Sequence, residues 1–465
     1  MTQPPPAASV PPSHVPFSEA MRVWARIGLL SFGGPAGQIA LMHRELVERR
    51  AWIDEPRFLH ALNYCMLLPG PEATQLATYI GWLLHKTRGG VIAGLFFVLP
   101  GFLAILALSI LYAELRAVPA VAALFFGLKA AVLAVVVEAV LRIGRRALTR
   151  RALVGVAALA FVGIFFFDVP FPLVVVGAGT LGLLGARLGL VAPRAPAALA
   201  TAGVHASVID RMAAEGALAH TQPSLVRALR VLAVCGALWA VPVAVLALAF
   251  GSDSVFVRQA RLFSQAAVVT FGGAYAVLAY IAQQAVETYG WLSAGEMLDG
   301  LGLAETTPGP LIMVVQFVGF LGAHRTAGVL SPLAAGVLGS LITVWVTFVP
   351  CFLWIFLGAP YIEALRGNRA LHAALSAITA AVVGVILNLS VWFGLHVVFR
   401  TVHEVHHGPL RLLVPELASI DFAAAALAAA AMLAMLRFKV GVGITLAASA
   451  LLGMAWQLVA YAVVS

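Results

Sequence analysis

The sequence predicts an all-α polytopic membrane protein of about thirteen transmembrane segments, arranged as two homologous, inverted repeats with broken helices. Composition supplies the first reason. The 465 residues are 62% hydrophobic and 11% charged, with a mean hydropathy of +0.98, whereas soluble domains carry about 25% charged residues. Duplication supplies the second. Phe32-Gly33-Gly34, Trp52 and Pro69-Gly70-Pro71 recur as Phe271-Gly272-Gly273, Trp291 and Pro308-Gly309-Pro310, every element displaced by 239 positions. Arg22 likewise maps onto Arg261. After a short insertion Leu115-Arg116 maps onto Leu365-Arg366, and Ala130-Ala131-Val132 onto Ala380-Ala381-Val382. The third reason is that Gly and Pro interrupt hydrophobic runs at these motifs, as in broken helices around a site.

A window of about 20 residues divides the chain. Residues 1–16 are Pro-rich, lack the basic and apolar regions of a signal peptide, and read as a disordered tail. The first repeat, 17–192, has apolar segments near 20–42, 59–84, 91–114, 119–141, 152–167 and 170–190. A polar, Pro-containing linker, 193–223, and a lone apolar segment within 224–251 connect it to the second repeat, 252–465. There the segments fall near 256–285, 297–323, 328–357, 370–399, 421–436 and 440–462.

Seven crossings between the two repeat starts reverse direction, which inverts the halves. The excess of Lys and Arg marks three regions as cytoplasmic: Arg142, Arg145, Arg146, Arg150 and Arg151; Lys86 with Arg88; and the linker with Arg194, Arg211, Arg227 and Arg230. One loop disagrees, because Arg44, Arg49, Arg50 and Arg57 would fall on the far side, and its counterpart around Glu287 and Glu296 has no Lys or Arg. A hairpin at 59–84 that returned to its side of entry would make the halves parallel.

Phe-Gly-Gly-Pro at 32–35, Leu-Pro-Gly-Pro-Glu-Ala-Thr-Gln-Leu-Ala at 68–77, Phe-Gly-Gly at 271–273 and Thr-Pro-Gly-Pro at 307–310 together resemble the chromate ion transporter family in its long, two-domain form. The resemblance covers nearly the whole chain. It implies a multi-pass secondary transporter of the cell inner membrane with oppositely oriented halves, expelling chromate and conferring chromate resistance, with sulfate as a similar dianion. The second Phe-Gly-Gly continues with Ala274-Tyr275 where the first has Pro35-Ala36, so the half-sites differ chemically.

The residues suit such chemistry in their own right. A tetrahedral oxyanion leaving water needs fixed N–H donors, and a helix N-terminus supplies them with its positive dipole end. Pro71 suits a first helical position and Gly70 permits close backbone approach, so the amides of Glu72, Ala73 and Thr74 would face the anion. Gly309 and Pro310 repeat the arrangement, with Thr306 and Thr307 adding hydroxyls. Gly33, Gly34, Gly272 and Gly273 belong either to the same substrate site or to close helix contacts, and the Pro-Gly-Pro turns could equally serve packing. Gln75, with Gln38 and Gln316, is polar within an apolar run and would donate to an oxyanion or join helices.

Among charged residues Lys129 is the sharpest. It lies mid-segment, and Glu138, nine residues on, sits about 180° around the helix, so an anion or another helix must compensate the lysine. Glu138 suits a pair with Arg142 one turn later. Glu72 is either a stabilising first-turn acid or a proton-coupling group. Arg22, Arg26 and Arg261 would attract anions at the entrance or remain solvated.

Cys65, Cys235 and Cys351 are isolated packing residues. His403, His406 and His407 lack an acid or Cys constellation, so no metal and no cofactor is expected. HExxH, GxSxG and Walker A patterns are missing, which argues against an enzyme. Net charge +9 reflects short basic loops rather than nucleic-acid binding. The expected partners are the oxyanion and the lipid bilayer, with a homodimer compatible. A passive anion channel, a transporter of sulfate or another oxyanion and, remotely, an intramembrane enzyme are the alternatives.

Overall fold

The computed structural model describes residues 14–32, 34–66, 68–116, 118–187, 207–271, 274–361 and 369–464. Most of the 1–16 tail, the start of the linker with Arg194, the Leu365-Arg366 match, and Gly33, Gly272 and Gly273 lie outside them. The described chain is almost entirely helical. Its strands are one antiparallel hairpin, β1 (Val402–His407) and β2 (Leu410–Pro415), with Val402 opposite Pro415.

The first half opens with α1 (Phe17–Leu29), a break, and α2 (Gly34–His43), which ends in a π-helical turn, Arg44–Glu48. Helix α3 (Glu55–Cys65) begins where the Asp54 side chain accepts from Arg57 N–H, and Pro56 occupies its first turn. The Pro-Gly-Pro turn leads into α4 (Glu72–Leu115), whose backbone is non-helical at His85 and Lys86, Lys86 having φ 54°. The chain reverses there. A Cβ on Gly81 would lie 2.5 Å from Gly89 O, and one on Gly89 would lie 2.2 Å from Gly81 O, so the arms 72–84 and 87–115 meet backbone to backbone, which only glycine allows. Helices α5 (Pro119–Ala147), α6 (Arg151–Phe167) and α7 (Phe171–Arg187) complete the half.

A short α8 (Val208–Ala214), closed by a Ser207–Asp210 capping box, precedes the long α9 (Leu225–Phe250). The second half repeats the first. Helix α10 (Val255–Val269) and α11 (Ala274–Ala282) match α1 and α2, including the π-helical turn at Gln283–Thr288. Helix α12 (Ala294–Thr306), the Pro-Gly-Pro turn and α13 (Val314–Arg325) match α3 and the first arm of α4. Then come α14 (Pro332–Gly358), α15 (Arg369–Val398), the β-hairpin, α16 (Phe422–Leu436) and α17 (Val442–Val464).

The first two segments of each half fold back instead of running end to end. His85 Nε2 lies 2.8 Å from Val15 O, and His220 Nε2 lies 3.0 Å from Trp82 O. Val208 N–H donates to Ala51 O at 3.0 Å, and Arg57 pairs with Asp210 at 3.0 Å. The start of α1, the α2–α3 connection, the end of the first α4 arm and the linker therefore share one end of the bundle. The opposite end gathers Arg116 and Arg325 on Glu296, and Arg411 on Asp168 at 3.2 Å and Glu287 at 2.6 Å. Helices α3 and 72–84 each span roughly 16–20 Å at 1.5 Å per residue, too short for a hydrocarbon core of about 30 Å.

This revises the sequence expectation of about thirteen single crossings. The hairpin considered at 59–84 does form, but 20–42 also folds back, so the two changes cancel in direction. Five end-to-end stretches remain between the repeat starts: the second arm of α4, α5, α6, α7 and α9. The loop of Arg44, Arg49, Arg50 and Arg57 thereby joins the other basic loops and the linker. Its disagreement arose from counting a broken helix as a full crossing.

Candidate functional site

The four helix breaks meet in two pairs, and they do so reciprocally. Gly70 N–H donates to Thr270 O at 2.8 Å, and Gly309 N–H donates to Ser31 O at 3.0 Å. Donors and acceptors are related by the same displacement of 239 positions, so each Pro-Gly-Pro turn is pinned to the Phe-Gly-Gly break of the other half. The glycines are needed for conformation, with φ 121° at Gly70 and 95° at Gly309. They are needed for space as well. A Cβ on Gly101, in the second arm of α4, would lie 2.6 Å from Pro308 O, and one on Gly309 would lie 3.0 Å from Gly101 Cα.

Three buried glutamines fasten these turns. Gln38 Nε2 donates to Gly309 O at 2.6 Å, Gln75 Nε2 to Pro69 O at 2.7 Å, and Gln316 Nε2 to Phe102 O at 3.0 Å. In this structure their amide protons go to backbone carbonyls. Around them Thr74 Oγ1 and the three glutamine Oε1 atoms are buried without a hydrogen-bond partner among the described residues.

The half-sites are unequal at their helix starts. Pro71 caps α4 without a side-chain hydrogen bond, so the amides of Glu72, Ala73 and Thr74 are the uncapped first-turn donors. Beyond Pro310, by contrast, a 3₁₀ turn, Leu311–Met313, with buried apolar side chains precedes α13. The hydroxyls of Thr306 and Thr307 donate back into α12, to Gly302 O at 3.1 Å and Ala304 O at 3.3 Å; their protons are held by the helix instead of facing an anion. Gly34, at φ 69°, starts α2 with open space beside it.

Of the two partners the sequence left open for Lys129, the structure provides another helix. Lys129 Nζ lies 3.5 Å from Asp299 on α12, and Asp299 also accepts from Tyr112 Oη at 2.7 Å. The compensating group for Lys129 is thus another helix, and its charge is not free. Glu138 and Arg142 pair at 3.6 Å, as their spacing predicts. Arg22 and Arg26 line a cavity of about 350 Å³ with Glu19, Val23 and Arg50, and make no ion pair among the described residues. Arg261 is exposed on α10 and does not line it. Two histidines of the β-hairpin pair with acids, His406 with Glu404 at 3.0 Å and His403 with Glu416 at 3.9 Å, and no cluster of three metal-ligating side chains occurs among the described residues.

Sequence reading did not propose Arg50, Asp299 or the pair formed by Tyr275 and Glu305, in which the tyrosine hydroxyl donates to the carboxyl, as site residues. Asp299 and Glu305 had a usable signal, since ionisable groups inside an apolar run are costly. Arg50 had none, because its closeness to Arg22 and Arg26 follows only from α1 and α2 folding back.

A duplicated bundle of long apolar helices, with paired half-length helices whose breaks meet in the interior, defines a multi-pass membrane protein of the transporter type. The chromate transporter family model matches residues 18–183 and 257–454, and the chain belongs to that family. It is 36% identical over 384 residues to a chromate transport protein of Pseudomonas aeruginosa, covering 81% of each chain. A probable chromate transport protein of Synechococcus elongatus is 27% identical over 378 residues, 81% of this chain and 84% of that one. A chromate transport protein of Cupriavidus metallidurans is 27% identical over 364 residues, 78% of each. No solved structure matches the chain.

Proposed function

We propose that the protein is an inner-membrane secondary transporter that exports chromate from the cytoplasm and confers chromate resistance, with 17–192 and 252–465 as its inverted transport halves. The observation that carries this is the reciprocal pinning of the two Pro-Gly-Pro turns to the opposite Phe-Gly-Gly breaks. Paired discontinuous helices at a repeat interface are how secondary transporters place a substrate at mid-membrane and rock two halves around it. The uncapped start of α4 with Thr74 supplies donors to the dianion, and Gly34, Gly309 and Pro310 shape the surrounding backbone.

The decisive measurement is counterflow in proteoliposomes. Internal chromate should drive uptake of labelled chromate, and sulfate should compete if dianion charge and shape are what the site reads. Flux without counterflow would indicate a channel and end the alternating-access reading.

The basic end of the bundle is assigned to the cytoplasm. Single cysteines at Glu215 and at His407, both exposed, should label from opposite faces in intact cells, the native cysteines being buried. Labelling of both from one face would refute the inverted arrangement.

The cavity of Arg22, Arg26 and Arg50 lies at the same end and would gather anions from the cytoplasm. Replacing all three with Gln should raise the KM for chromate efflux several-fold, on the order of 1 kcal/mol of lost attraction. It should also flatten the dependence on ionic strength. An unchanged KM would leave these arginines as solvated interfacial residues.

A further inference from the structure

We propose that Glu305 is the proton-binding group linked to anion occupancy, with Tyr275 as its positioning residue; this rests on the oxyanion reading above. Glu305 is 6% exposed and stands directly before Thr306, Thr307 and Pro308, in the last turn of α12. Its hydrogen-bond partner is the Tyr275 hydroxyl from α11, and among the described residues it makes no ion pair.

Three other acids of the second half are countercharged. Asp299 has Lys129, Glu296 has Arg116 and Arg325, and Glu287 has Arg411. Glu72 lies at a helix N-terminus, where the dipole favours negative charge. Glu305 faces the opposite dipole end, and the charges that reach it through space are Arg142 and Glu138 on α5, themselves paired at 3.6 Å. An ionised carboxyl there has no dedicated counter-ion.

A dianion bound at the neighbouring break adds like charge, which favours the protonated acid. Anion binding therefore draws one proton from water onto a Glu305 carboxyl oxygen, and anion release returns it. The Tyr275 hydroxyl links the proton-carrying acid to the helix that follows the second Phe-Gly-Gly break. Proton and anion sites thus share the two elements that would move against each other. The first half has Ala36 and Met66 at the matching positions, so the device is present once per chain. With one proton taken up per anion, apparent affinity should change by up to about tenfold per pH unit where linkage is complete.

The test is calorimetric binding of chromate, and of sulfate separately, to purified full-length protein in buffers of different ionisation enthalpy between pH 5 and 8. Wild-type protein should take up close to one proton per anion. Glu305→Gln should still bind the anion, without proton uptake and with an affinity that no longer varies with pH. Glu72→Gln should retain proton uptake. Tyr275→Phe, which keeps the carboxyl and removes its donor, should shift the pH midpoint of uptake, so the linkage is read even if Glu305→Gln folds poorly. Wild-type binding without proton uptake, uptake preserved in Glu305→Gln, uptake lost in Glu72→Gln, or an unmoved midpoint in Tyr275→Phe would overturn the proposal. Wild-type protein that binds neither anion would overturn the oxyanion reading itself, and this proposal with it.

Discussion

Gly70→Val and Gly309→Val should each abolish chromate transport, by about a hundredfold or more, while the protein still inserts in the membrane. Two costs coincide at each site. The backbone conformations, φ 121° and 95°, cost about 1–3 kcal/mol for a residue with a side chain. The new Cβ also meets Cys351 Sγ and Gln75 Nε2 at 3.0 Å in one case and Gly101 Cα at 3.0 Å in the other. Relief requires the turn to shift, and a shift breaks the hydrogen bond to Thr270 or Ser31 that joins the halves. Gly328→Asn is the control. Gly328 has φ 63° with open space around it, and Asn tolerates this region, so near-normal transport is expected. Vesicle uptake of labelled chromate, with membrane levels measured in parallel, decides it. Normal transport by both valine variants would leave the Pro-Gly-Pro turns as packing devices only.

Lys129→Met should lower thermal stability by about 3 kcal/mol or more, because removing one partner of a buried ion pair strands the other. Asp299 has a side chain 3% exposed, with Tyr112 as its remaining donor. The double variant Lys129→Met/Asp299→Asn should recover most of the loss, since no unpaired charge is left. The other partner the sequence left open, a bound anion, predicts the reverse: affinity falling while the protein level holds. Melting of detergent-solubilised protein together with chromate affinity separates the two accounts. A stable Lys129→Met variant with sharply weakened binding would return Lys129 to the substrate site.

Membrane class, duplication and the location of the breaks were all legible in the sequence. Hydropathy depends on composition over a window, and a repeat kept in register survives as spacing, so neither needs the fold. The Glu138–Arg142 pair was legible for the same reason, one helical turn being a local distance. What the sequence hid was long-range. Its hydropathy cannot distinguish a 26-residue apolar stretch that crosses from one that breaks and returns, so 20–42 and 59–84 were each read as a crossing. The return within 59–84 needs Gly70 at φ 121° and its hydrogen bond to Thr270 of the other half, which are set by packing. Once those hairpins form, Arg50 comes beside Arg22 and Arg26, and the mismatched basic loop falls in with the others. The charge pairing was hidden similarly, since Lys129 and Asp299 are 170 positions apart in the chain. A buried ion must find its partner wherever the fold places one, so only the tertiary structure could decide that Lys129 is ion-paired and that Glu305, among the described residues, is not.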